Sequence, residues 1–156
     1  VTATVGVGTG PYGVGFDGNN MWVTNHNDGT VSKIDVSTNT VTATVTVGYL
    51  PAGVGFDGSN IWVANYGGDT VSKIDVSTNM VTAAVTVGDA PAGVVFDGSN
   101  IWFANSGDDT VSKIDVSTNT VTATVAVGDG PYGVGFDGSN IWVANYNDDT
   151  VSKIVP

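Results

Sequence analysis

The chain repeats itself every 40 residues. It opens Val1-Thr2-Ala3-Thr4-Val5 and begins again at Val41, Val81 and Val121 without a single insertion. The four copies are therefore residues 1–40, 41–80, 81–120 and 121–156 of one domain, 1–156. Copies two and four differ at eight of the 36 positions they share, so the repeats point to recent duplication or deliberate construction. A unit this short cannot bury both of its faces alone, and a fixed period of this size predicts stacked, self-similar units.

Each unit holds four strand-like runs. Val41-Thr42-Ala43-Thr44-Val45-Thr46-Val47 alternates apolar with small polar residues, the period of a half-buried strand. Pro51 and Gly53 break the chain before Gly53-Val54-Gly55-Phe56, a short strand with glycine on one face. Asp57-Gly58-Ser59-Asn60 has the composition of a turn. Ile61-Trp62-Val63-Ala64-Asn65-Tyr66 is apolar on both faces, as a strand between two layers must be. Gly67-Gly68-Asp69 turns again into Thr70-Val71-Ser72-Lys73-Ile74-Asp75, and Ser77-Thr78-Asn79 turns back to the alternating run. Helical periodicity is absent.

Four antiparallel strands per 40 residues predict an all-β fold, a β-propeller of four four-stranded blades. The glycine-rich run belongs innermost, where backbones crowd, and the Val/Thr run outermost. The fourth copy lacks an outer strand, while the first begins with an orphan one, Val1 to Val7. Pairing that segment with the strand ending at Ile154 predicts closure of the ring and hides two open edges. The same edges pair equally well between two chains, giving a homodimeric eight-bladed ring. The chain opens on Val1 rather than Met, as expected of a processed, trimmed or excised segment.

Trp22-Val23-Thr24-Asn25, Trp62-Val63-Ala64-Asn65, Trp102-Phe103-Ala104-Asn105 and Trp142-Val143-Ala144-Asn145 resemble the Tyr-Val-Thr-Asn signature of the YVTN repeat family. Pro51-Ala52-Gly53-Val54, Asp69-Thr70-Val71-Ser72 and Asp75-Val76-Ser77-Thr78-Asn79 also resemble that family, over every copy. The resemblance implies a propeller, usually of seven blades, in an extracellular, cell-surface or periplasmic setting. The same blade style resembles the virginiamycin B lyases, whose catalysis uses His, Glu and a divalent metal. This chain has one His, His26, and no Glu, so none of that site carries over. A degenerate lyase is the weakest reading.

The charge narrows the partners. Fifteen Asp face four Lys, for a net charge of −11, which disfavours nucleic acid and anionic membranes. No apolar run approaches the length of a spanning helix. With no Cys, there is no thiolate chemistry and no Cys-based zinc site. Asn145, Asn147 and Asp149 have the oxygen spacing of half a calcium loop, but the distal Glu is missing. Turn formation explains them, leaving weak adventitious cation binding and no expected cofactor. The Asp at 17, 57, 97 and 137 recur as turn residues, the four Trp read as packing between blades, and the four Lys as pairing with nearby Asp or lying along the sheet.

Two connections vary between copies while the other two scarcely change. One runs through Tyr12, Tyr49 and Tyr132, and the other through His26, Tyr66 and Tyr146. In an up-and-down blade both emerge on one side of the disc. The sequence therefore predicts a non-catalytic scaffold or binding module whose variable face, with Tyr12, His26, Tyr49, Tyr66, Tyr132 and Tyr146, contacts a protein, peptide or glycan. The acidic surface suits a basic or cationic ligand. Drift in exposed turns explains the same variation. The alternative function is structural: a self-assembling repeat unit with no ligand.

Overall fold

A computed structural model describes all 156 residues as an all-β chain of fifteen strands in four antiparallel sheets. The first sheet takes β1 (Pro11–Phe16), β2 (Asn20–Asn25), β3 (Thr30–Asp35) and β4 (Thr40–Thr46) in sequence order. The second takes β5 (Pro51–Phe56), β6 (Asn60–Asn65), β7 (Thr70–Asp75) and β8 (Met80–Thr86). The third takes β9 (Pro91–Phe96), β10 (Asn100–Asn105), β11 (Thr110–Asp115) and β12 (Thr120–Ala126). The fourth has three strands, β13 (Pro131–Phe136), β14 (Ile141–Asn145) and β15 (Thr150–Ile154). These are the blades of a four-bladed β-propeller.

The first strand of each blade lines the axis. β1 packs on β5, β5 on β9 and β9 on β13. Glycine makes this approach feasible: a methyl group at Gly53 would overlap the Ala92 carbonyl, and one at Gly93 the Tyr132 carbonyl. The Val/Thr run is outermost, as its half-wet alternation requires, with Thr42, Thr44 and Thr46 exposed and Val45 buried.

The core lies between blades. Trp22, Val31 and Val45 of blade one meet Ile61, Val63 and Ile74 of blade two. Trp62, Ala64 and Val71 meet Ile101, Phe103 and Ile114. Trp102 and Val111 meet Ile141 and Val143. Each joint therefore sets the trailing face of one blade on the leading face of the next, which is why the second strand is apolar on both sides.

The closure expected from Val1–Val7 is not made within the single chain. That segment forms no strand, and β15 has no outer neighbour. Nor does β1 pack on β13 as the other inner strands pack on one another. Instead the phenols of Tyr12 and Tyr132 reach across the channel and touch. Blades one and four therefore lack the packed joint that the other neighbouring blades share.

Candidate functional site

Two backbone ladders build the variable face. The His26 and Asn27 amides donate to the Gly10 and Thr9 carbonyls at 2.9 and 3.2 Å, and Tyr66 and Gly67 do the same to Leu50 and Tyr49. The pattern recurs at Ser106 and Tyr146. Both variable connections of a blade are thereby clamped side by side on one face of the arc. Asn65 secures them from below, donating to Thr70 and Ser72 hydroxyls while its oxygen accepts from the Gly48 amide at 3.0 Å.

The aromatic residues converge at the mouth of the channel. Tyr12 stacks on His26 with ring centroids 5.4 Å apart, and His26 lies 6.5 Å from Tyr66 in a tilted arrangement. The His26 ring nitrogen Nδ1 sits 3.1 Å from the Pro51 carbonyl oxygen. Tyr12 also meets Tyr132. Below them a cavity of about 320 Å³ runs between the four inner strands. Tyr132 and Tyr146 border a second, apolar hollow beside Gly133 and Ala144. Tyr49 stands apart from the stack, exposed, against the turn at Gly67. The structure thus joins Tyr12, His26, Tyr66 and Tyr132, sets Tyr146 next to Tyr132, and leaves Tyr49 outside.

This face is strongly anionic. Eight of the 15 Asp lie in its two sets of connections, and none of the four Lys does. Asp28 Oδ2 accepts from the Thr9 amide at 2.6 Å, and Asp108 and Asp148 accept equivalently from Asp89 and Asp129 at 2.7 Å. The charges are crowded: the Asp69 carboxylate, with some burial and then Asp108, holds the Asp89 carboxyl above its ordinary value.

The opposite face is built from repeated locks. The Trp62 indole donates to Asp57 Oδ2 at 2.7 Å, and the same bond joins Trp22 to Asp17, Trp102 to Asp97 and Trp142 to Asp137. Burial pushes the Asp97 carboxyl up, but bonds from Trp102, Asn100 and Ser99 outweigh it and hold it low. The sequence showed the Asp as turn residues and the Trp as packing, but not that they are bonded. Lys33 differs from its expected roles. Its ammonium lies 5.0 Å from the Trp22 ring centroid and donates to the next blade, to the Val76 carbonyl at 2.7 Å and Asn79 Oδ1 at 3.0 Å. Lys73 repeats this towards Val116 and Asn119. No group of three or more His or Asp side chains is placed to hold a metal ion.

No protein-family model and no curated protein matches the chain. Solved structures do. Hydrazine synthase of Kuenenia stuttgartiensis superposes with a TM-score of 0.81 at 23% identity, over 100% of this chain and 52% of that one. A catalytically inactive virginiamycin B lyase from Staphylococcus aureus with quinupristin gives 0.82 at 18% identity, over 97% and 53%. The computationally designed Ika4 protein gives 0.81 at 15% identity, over 99% and 98%. The chain thus spans about half the length of the first two proteins and nearly all of the designed one. At such identities the likeness is one of fold.

Proposed function

We propose that the chain is a non-catalytic β-propeller module that binds a cationic partner, a peptide segment bearing Lys or Arg, at the channel mouth. One observation carries this reading: the stack of Tyr12, His26 and Tyr66, with Tyr132 meeting it, inside a rim that holds Asp and no Lys. Aromatic faces attract cations, and surrounding carboxylates raise their local concentration. Resemblance to the YVTN repeats supports an extracellular or cell-surface setting. Superposition on a computationally designed protein is compatible with a scaffold role. A lyase activity has no support in the residues present, since His26 is the single His and Glu is absent.

Calorimetric titration with short Lys- and Arg-rich peptides tests the proposal. Binding should weaken with salt, and Tyr66→Ala should reduce affinity about tenfold, the loss of one well-placed aromatic contact. Equal binding by Tyr66→Ala, or binding of glycans in place of basic peptides, would refute it.

The structural reading, a self-assembling repeat unit, is favoured by a separate observation. The Trp142 side chain is 39% exposed, whereas its equivalents Trp22, Trp62 and Trp102 are 0 to 1% exposed. Blade four thus ends on an apolar face that the other blades keep covered.

A further inference from the structure

We infer that two copies of this chain join as one eight-bladed ring, each lending residues 1–7 to the other as its missing outer strand. The inference rests on the self-assembly reading and specifies its joint; it is independent of the cationic ligand.

The chain already contains this joint three times and both halves of a fourth. Trp142, Ala144 and Val151 of blade four correspond to Trp62, Ala64 and Val71, the trailing face of the second joint. Met21, Val23 and Ile34 of blade one correspond to Ile101, Phe103 and Ile114, its leading face. Val151 is 61% exposed, while Val31, Val71 and Val111 are fully buried. On the leading side a cleft of about 640 Å³ lies open beside Val7, Asp28 and Thr44. The trailing face of blade four, with Trp142 and Val151 so exposed beside an unpaired strand edge, invites association.

Register completes the fit. Outer strands pair with a fixed offset: Val31 opposite Val45 and Val111 opposite Val125. Carried forward by one period, the partner's Val5 comes opposite Val151 and the partner's Thr4 opposite Ser152. The bond from the Val127 amide to the Asp109 carbonyl, 3.0 Å, becomes one from the partner's Val7 to Asp149. Lys153 lies 5.3 Å from the Trp142 ring centroid but has no neighbouring blade. By the pattern of Lys33 and Lys73 it reaches the partner's Val36 carbonyl and the partner's Asn39, whose backbone (φ 56°) matches Asn79 (φ 58°).

Gly133 carries the same message. Methyl groups at Gly53 and Gly93 would overlap a carbonyl of the next blade, whereas one at Gly133 meets nothing closer than Ala144 Cβ at 3.8 Å. The sequence keeps glycine where the single chain has no use for it. The partner's Tyr12 carbonyl supplies the reason.

Two copies are the smallest number that covers both open ends. All four inner strands line one cavity, yet β1 does not pack on β13, so the ring stays open between blades one and four and the blades of a second chain complete it. The result has twofold symmetry and two identical joints. From strand spacing and rise, those joints bury at least about 1,500 Å², within the range of stable dimers. Both channel mouths, and the Tyr12 and Tyr132 rims, are then shared by the two chains.

Sedimentation equilibrium of the 156-residue chain should give twice 15.8 kDa. A single-chain mass at every concentration, or a mass of three or more chains, overturns the proposal. Gly133→Ala and Val151→Asp alter positions the single chain leaves open, so each should retain the β-sheet spectrum and raise the dissociation constant at least a hundredfold. If the wild type is a two-chain species but both variants dissociate as it does, the joint is wrong and self-assembly by another surface survives. Peptide titration reports separately on the ligand reading.

Discussion

Gly53→Ala tests whether blade spacing is set by glycine at the axis. A methyl at this position overlaps the Ala92 backbone oxygen, and a backbone atom in a strand cannot step aside without its blade. Relieving the overlap takes about 1 Å of separation, which forfeits a quarter to a half of the dispersion across the gap. Trp62, Ile101, Phe103 and Ile114 fill this joint and are buried almost completely, worth roughly 2 kcal/mol each. Losing a third of that is about 3 kcal/mol, the upper end for overpacking. The stiffer unfolded chain returns about 0.5 kcal/mol. The net loss of about 2.5 kcal/mol lowers Tm by roughly 5–10 °C for a chain of this size. Gly55→Ala is the control. Its methyl would face Val94 Cγ2 at 3.1 Å, the end of a side chain that can rotate, so the loss should stay below about 1 kcal/mol. Urea denaturation at fixed protein concentration, with unchanged slope, reads both values. Equal stability of Gly53→Ala and wild type would refute the argument that the axis is packed to backbone contact.

Lys73→Met keeps the stem over Trp62 but removes the bonds to Val116 and Asn119 of the next blade. It should cost about 1–2 kcal/mol in denaturant. Lys113→Met, without such partners in the chain, should cost less than half as much; equal losses would show that the cross-blade bonds contribute nothing. The Asp75 carboxylate is lowered to about 2 by hydrogen bonds from Ser77 and Thr78. Its folded value lies below the unfolded one, so its stabilisation is complete above about pH 4 and is lost as pH falls towards 2. Asp75→Asn should flatten the acid limb of a stability–pH curve, and an unchanged limb would contradict the assignment.

Much of the fold was legible because each structural rule is stated four times over. The 40-residue period gave the blades, the alternation of Val41–Val47 against the glycine-rich run Gly53–Phe56 gave outer and inner positions, and the two-sided apolar run Ile61–Tyr66 gave the strand between layers. The clustering of the variable connections followed from the up-and-down order. Closure was not legible, because the edge open to Val1–Val7 is the same whichever chain supplies it, and sequence spacing does not say whether β1 reaches β13. The bonds from Trp62 to Asp57 and from Lys33 to Val76 were equally hidden. The first joins residues whose separate roles as packing and turn were sufficient reasons for their presence. The second crosses between blades, where sequence spacing says nothing about which carbonyl a lysine reaches. At the site, four of the six named residues come together through stacking and phenol contact, while Tyr49 falls outside because its ring lies against the turn at Gly67.

The central claim is that the fourth joint is made between chains. The chain has no Cys, so Val5→Cys combined with Val151→Cys introduces one pair that the outer-strand register sets opposite each other. Mild oxidation followed by a non-reducing gel should show a covalent two-chain species. A single-chain band carrying an internal disulfide, or two free thiols per chain, would contradict it.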